Sequence, residues 1–161
     1  MAVDSAKISI GKMARQADVD VCARFMCDSD PWKTLGVSFE RAQHVLTDPS
    51  REIYLGQIAG QPVGFMILLM QGALVGYIQS ICVHPDWRNQ GIGEQLIKFA
   101  EERIFQDSPN VFLFVSSFNE AAERFYQRLG YEVIGPVENF IISGHAEILM
   151  RKTTGPWSEF R

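Results

Sequence analysis

At 161 residues, 47% hydrophobic and 21% charged, the chain has the make-up of an ordinary soluble globular protein, and its length suits a single domain over residues 1–161 with a sizeable core. Its net charge of −4 and isoelectric point of about 5.4 speak against a partner held by counterion release from nucleic acid and leave room for a cationic or amine-bearing ligand. Three cysteines, Cys22, Cys27 and Cys82, are an odd number without paired spacing. That argues against a disulfide framework or a zinc knuckle and for buried, reduced thiols in a cytoplasmic protein.

The opening "MAVDSAKISI" has no basic segment followed by an apolar stretch, so no secretion leader is expected. Lys7–Ile10 reads as a short first strand. Asp18 is placed to cap a helix whose apolar positions Val19, Cys22, Ala23 and Met26 recur at helical spacing. "DSDPWKTLGVS" then interrupts it, because Pro31 and Gly36 oppose helix continuation. Ser38 is placed to cap a second helix through Leu46, with Phe39, Ala42, Val45 and Leu46 inward.

Three strands follow at Glu52–Ala59, Val63–Gln71 and Leu74–Val83, joined by turns at "AGQP" and "QGA" as a meander of hairpins. The central "VGFMILLM" is apolar on both faces, as in a sheet covered on both sides. It is far shorter than the roughly 18 residues of a membrane span, so no membrane is expected. Gly91–Phe105 reads as a helix with Gly93, Leu96, Ile97, Ala100 and Ile104 on one face and a Glu94–Lys98 pair on another. Val111–Val115 is a buried strand, Asn119–Leu129 a helix stopped by Gly130, and "YEVIGPV" and "AEILMRK" are closing strands. The order predicts a mixed α/β sheet with two helices packed late.

Between the third hairpin strand and the long helix stands "VHPDWRNQGIG", with R-x-x-G-x-G at Arg88–Gly93. A helix start offers backbone N–H groups without internal partners, and Gly91 and Gly93 would let a pyrophosphate approach them. By spacing alone an ordinary tight loop explains the glycines equally well. Two other phosphate loops fail. A Rossmann turn needs a third glycine where Leu96 stands, and the strand after it ends in Ser116 and Ser117 rather than an acidic ribose ligand; a Walker loop needs a Gly-Lys-Ser/Thr tripeptide, which is missing.

"ICVHPDWRNQGIGEQLI" followed by "SSFNEAAERFYQRLGY" closely resembles the GNAT superfamily, the acetyl-CoA-dependent N-acetyltransferases. The first stretch is similar to that family's V-x-P-x-x-R-x-x-G-x-G signature and the second to its N-x-x-A-x-x-F-Y-x-x-x-G-F/Y. The resemblance is good from Glu52 to about Lys152 and only of general layout before that. It implies an α/β (α+β) fold with a mixed, mostly antiparallel sheet of six to seven strands flanked by four helices, two strands splaying to form the coenzyme cleft. It implies acetyl-CoA as cosubstrate and no metal.

Carried over residue by residue, the resemblance places Arg88, Asn89, Gln90, Gly91, Ile92 and Gly93 around the coenzyme diphosphate and Ile81, Cys82 and Val83 along the pantetheine. The Cys82 N–H is the chosen donor to the thioester carbonyl; Cys82 as a covalent nucleophile is disfavoured, because no histidine is adjacent. Asn119 implies a pantetheine contact, or simple capping of the helix. Tyr126 shares a stripe with Ala122, Phe125 and Leu129 and on that ground reads as core; the family match makes its hydroxyl the acid that protonates the CoA thiolate.

The implied reaction is direct transfer to a neutral amine, which requires a base. Many members carry Glu on the strand before the loop, where this chain has Tyr77 and Gln79, and acetyltransferases of the ribosomal-alanine type often carry Glu where Phe114 stands. The base is therefore unassigned, with a water held by Gln79 and Ser80, or Glu138 or His145, as candidates. For the acceptor, Asp28, Asp30 and Trp32 in "DSDPWKTLG" and Gln79 are candidate contacts, with a packed turn as the bland reading. The tail "GPWSEF" has three readings: it caps the core, lines the site or crosses to a homodimer partner. The acceptor is a small-molecule or peptide amine; the alternatives are a non-catalytic CoA-binding module or transfer of a longer acyl group.

Overall fold

The computed structural model describes residues 7–161; residues 1–6, on which part of the leader expectation rests, lie outside them. The elements in chain order are β1 (Ser9–Lys12), α1 (Gln16–Cys27), α2 (Phe39–Leu46), β2 (Glu52–Ile58), β3 (Gln61–Leu69), β4 (Tyr77–Val83), α3 (Ile92–Ile104), β5 (Asn110–Ser116), α4 (Glu120–Arg128), β6 (Glu132–Glu138) and β7 (Ala146–Thr153), with single helical turns at Pro85–Trp87 and Trp157–Glu159. The seven strands form one sheet in the order β1-β2-β3-β4-β5-β7-β6. Every neighbouring pair is antiparallel except β4 and β5. This is the predicted mixed, mostly antiparallel α/β sheet with four helices.

Each face of the sheet has its own core. On one, Leu96, Ile97, Ala100 and Ile104 of α3 pack on Met66, Leu68, Leu113 and Met150. On the other, Cys22, Ala23 and Met26 of α1 and Ala42 and Leu46 of α2 pack on Phe65, Ile67 and Cys82. Central β3 is buried from both sides over Val63–Leu68, which is why that stretch carries no polar side chain. Glu94 and Lys98 pair at 3.2 Å as their spacing predicts.

Local chemistry sets the helix boundaries in most places. The Ser38 hydroxyl accepts from the Arg41 N–H and starts α2. Asp18 does not cap α1: the helix begins at Gln16, and Asp18 lies buried in its first turn, where both carboxylate oxygens accept from Arg15 at 2.9 Å. The first strand lies two residues later than predicted. The third hairpin strand begins at Tyr77 rather than Leu74, because Gly76 holds a left-handed backbone (φ 87°) that ends the preceding loop. Cys22 and Cys82 are buried free thiols; Cys27, expected buried too, is only half-buried.

Candidate active site

The sheet opens at its one parallel junction. Pairing between β4 and β5 is confined to Tyr77–Phe112 and Ile78–Leu113, although each strand runs on for several residues. The backbone edge of β4 beyond Ile78 therefore has no strand beside it. A cleft of about 250 Å³ fills the gap, and its lining includes Gln79 to Val83, Leu113 to Ser116, Asn119 and Tyr126.

A bulge on β4 decides which amides face this gap. Ile67 pairs with Ser80 but Leu68 with Ile78, leaving Gln79 as the extra residue. Beyond it, the His84 N–H donates to Val63 O at 2.8 Å, and Cys82 stands opposite Phe65 two steps along in the same register. Antiparallel pairs alternate between those that exchange both backbone bonds and those that exchange none, so the Cys82 N–H is bound to β3. The amides of Ile81 and Val83 are the ones on the open edge. The choice of the Cys82 N–H as carbonyl donor is thereby corrected. The bulge also explains why Ile78 and Ile81, three apart, both pack on the α3 face. The Cys82 thiol is 2% exposed, and burial pushes its pKa up to about 12, which removes the nucleophile reading.

The loop after β4 ends at Gly91, whose left-handed backbone (φ 78°) starts α3 with no side-chain cap. The first bond inside the helix runs from the Gln95 N–H to Gly91 O, so the amides of residues 91–94 point out of its start. Asn89 is left-handed as well (φ 59°). Arg88 turns back under the loop: its side chain donates to Val83 O at 3.3 Å and to the Ser29 hydroxyl at 2.9 Å, at the cleft wall. Gln90 donates to Asp86 O, and Ile92 is buried in the α3 core.

Asn119 caps α4, its side chain accepting from the Ala122 N–H at 3.3 Å, and it also borders the cleft. Tyr126 is both a packed and a cleft residue. Its ring meets Phe125 and Tyr131 edge-on, at 5.2 and 5.7 Å, and Tyr131 is itself anchored to Glu101. Burial raises the Tyr126 pKa to about 12, so the phenol holds its proton at neutral pH.

The cleft lining also includes Asp30, Trp32 and Gln79, three of the four proposed acceptor contacts. Asp28 falls outside it, exposed at the end of α1. The Asp30 carboxylate accepts from the Thr34 N–H and hydroxyl, and Gln79 accepts from Arg51 at 2.7 Å. Ser80 is in the lining, whereas Glu138 and His145 are not; Glu138 is exposed and His145 packs edge-on against Phe118 at 5.2 Å. The C-terminal tail, with Trp157 packed on Phe160, does not line the cleft.

One residue that the sequence reading passed over stands here: Glu147 of β7, 4% exposed, lining the cleft beside Ser116, whose hydroxyl donates to it at 2.8 Å. An acidic residue within the otherwise apolar "AEILM" was the available signal. Among the described residues no group of three or more His, Cys, Asp or Glu side chains is placed to hold a metal, and no helix is long and apolar enough to cross a membrane.

Comparison with known proteins agrees with this geometry. The model of the acetyltransferase (GNAT) family matches residues 19–131. The N-alpha-acetyltransferase RimI of Mycobacterium tuberculosis is 26% identical over 163 residues, covering 96% of this chain and 98% of that protein. A GNAT family acetyltransferase from Elizabethkingia anophelis with acetyl-CoA bound has a TM-score of 0.74 at 21% identity, covering 93% of this chain and 99% of that one. The ribosomal-protein-S18-alanine N-acetyltransferase from Escherichia coli has a TM-score of 0.73 at 17% identity, covering 95% and 97%. These two solved structures share the fold with the present chain. With a family match across most of its length and the split sheet that family's signature predicts, the chain belongs to the GNAT family of acetyltransferases.

Proposed function

We propose that this protein, as a single cytoplasmic domain over residues 1–161, transfers the acetyl group of acetyl-CoA directly to a primary amine. The observation that carries the reading is the β4–β5 split. It leaves the Ile81 and Val83 edge open beside an uncapped helix start and a protonated tyrosine. Acetyl-CoA supplies an activated thioester, and what supports the fit is the open β4 edge, the uncapped helix start and the cleft between them. The amides following Arg88 receive the diphosphate, with Asn89 and Gln90 shaping the turn and Gly91, Ile92 and Gly93 contributing helix-start donors. Ile81, Cys82 and Val83 line the pantetheine, and Asn119 contacts it from the start of α4.

The Ile81 N–H, rather than that of Cys82, donates to the thioester carbonyl, where negative charge develops. Tyr126 gives its proton to the departing sulfur. Asp30, Trp32 and Gln79 lie on the acceptor's side. The partner is a small-molecule or peptide amine, with neither nucleic acid nor membrane involved. A homodimer fits the exposed Trp157 of the tail, which is 52% exposed.

Isothermal titration with acetyl-CoA tests the reading at its base. Binding at low micromolar to sub-millimolar ligand is expected, and no measurable heat over that range would sink it. A non-catalytic coenzyme module would bind but release no thiol with any amine.

A further inference from the structure

Resting on that proposed reaction, a second inference concerns the base it lacks. Glu147 is a carboxylate placed where a cation is missing. It projects from β7, the strand inserted between β5 and edge strand β6, on the face that carries Phe114 and Ser116. Its Oε1 accepts from the Ser116 hydroxyl; Oε2 has no protein donor among the described residues, and the side chain borders the cleft. Holding a carboxylate in such surroundings is unfavourable unless a cation or further donors compensate. No Lys or Arg forms an ion pair with it among the described residues, and the one charge that favours its ionised form there is that of His145. Around it the same cleft is aromatic: Tyr77 meets Phe114 edge-on at 5.8 Å, and Phe114 stacks on Phe140 at 5.3 Å. Phe140 and Ile141, each 54% exposed, border the opening.

We infer that Glu147 binds the acceptor's ammonium group and removes its proton, and that the acceptor is a primary amine on a slender apolar stem lying against Tyr77, Phe114 and Phe140. The proton passes from R–NH3+ to the carboxylate, giving R–NH2 and a neutral Glu147. The nitrogen lone pair then forms the N–C bond. The C–S bond breaks with its electrons on sulfur, which takes the Tyr126 proton, and the tyrosinate recovers the second amine proton. Glu147 returns its proton to solvent, so the net change is R–NH3+ plus acetyl–S–CoA to R–NH–acetyl, HS–CoA and H+. Burial raises the Glu147 pKa, while the Ser116 hydrogen bond and His145 work the other way, which suits a group that must take up a proton near neutrality. The other titratable groups lining the cleft are Tyr77 and Cys82 of β4, Tyr126 of α4, and Asp30 and Arg88; burial and then the Glu147 charge raise the Tyr77 pKa.

The test uses the full chain with 2-phenylethylamine, cadaverine and an N-terminally blocked lysine peptide, with kanamycin as the branched comparison. Glu147→Gln is expected to bind acetyl-CoA within about twofold of wild type. Its kcat/KM should fall about 100-fold or more near neutral pH, with the deficit shrinking as pH approaches the amine's own pKa. Ser116→Ala, which removes the donor that favours the carboxylate, should move the acidic limb of the wild-type pH profile upward, and it serves equally if Glu147→Gln does not fold. Glu147→Gln with wild-type turnover, or an acidic limb unmoved in Ser116→Ala, overturns the base assignment while leaving the proposed transferase intact. Kanamycin acetylated in preference to the slender amines, or none of the four acetylated, overturns the substrate class. Loss of acetyl-CoA binding in the wild type would instead count against the transferase itself.

Discussion

Gly93 at the start of α3 faces the Phe125 ring of α4 across a gap that a methyl group fills without strain. A Cβ built there lies 3.5 Å from Phe125 Cζ and 3.8 Å from Val83 Cγ2, ordinary contact distances. Nothing inside the protein thus requires glycine at this position. Gly93→Ala is expected to leave the melting temperature unchanged or to raise it, since alanine is favoured over glycine in a helix by up to about 1 kcal/mol. It should still weaken acetyl-CoA binding by about tenfold, measured by titration calorimetry. Unchanged affinity would place the diphosphate elsewhere.

Tyr126→Phe removes only the hydroxyl and keeps the ring against Phe125 and Tyr131. Turnover is expected to fall about 100-fold or more, with acetyl-CoA affinity close to wild type. Because the phenol's pKa rises from 10.0 to about 12, the proton stays bound through the ordinary tyrosine range. The wild-type kcat should therefore show no decline with an apparent pKa near 10. By the same shift the fold keeps its full stability below pH 10.0 and loses part of it as pH rises through about 12, because burial disfavours the ionised phenol. A pH profile of kcat measured at saturating acetyl-CoA checks the point.

Gly76→Ala is expected to damage the fold at the apex of the split. The residue is left-handed at φ 87°, and a Cβ there would clash with Asn110 O and lie 2.5 Å from Ile104 Cγ2. Both obstacles are firm, one being backbone and the other a buried core side chain. A loss of about 3 kcal/mol or more in chemical denaturation is expected, and a loss under about 1 kcal/mol would contradict this packing.

Glu52 of β2 is tied to α3 by Arg103, which donates at 2.9 and 2.7 Å, and it also accepts from the Tyr54 hydroxyl of its own strand at 2.8 Å. Burial alone would raise its pKa, but these donors outweigh burial and hold it below the ordinary 4.5. A depressed carboxylate stabilises the fold above its unfolded pKa, and that contribution is lost as pH falls through the folded value. Arg103→Leu should therefore destabilise the protein by about 1–3 kcal/mol at neutral pH, and the gap to wild type should narrow below about pH 4.5. Thermal melts across that pH range measure it.

The helix at Ile92–Ile104, the cap at Ser38 and the glycine turn at Gly91 follow from spacing and side-chain chemistry within a few residues, and they were legible in the chain. So was the family, because the arginine–glycine turn and the Asn119–Tyr131 stretch are contiguous patterns similar to that family's two signatures, and its model matches residues 19–131. Strand ends shifted wherever a left-handed glycine, such as Gly76, decided where a loop stops. Which amide of β4 faces the gap was not legible: the resemblance carries over a stretch of strand, and only the bulge at Gln79, a matter of pairing with β3, turns the Cys82 N–H to β3 and those of Ile81 and Val83 to the open edge.

By itself the sequence determined the elements, the apolar faces and the glycine turn proposed to take a diphosphate, since these depend on neighbours along the chain. The tertiary structure alone decided that β7, last in sequence, is inserted between β5 and β6. That insertion brings Glu147 into register with Ser116 and into the cleft with Tyr77 and Phe114. Pairing order in a sheet is set by which strands bury their faces together, over separations of 31 residues here, and no local pattern records it. A glutamate that reads along the chain as one polar residue in a closing strand thus becomes, in the folded sheet, the buried carboxylate of the cleft.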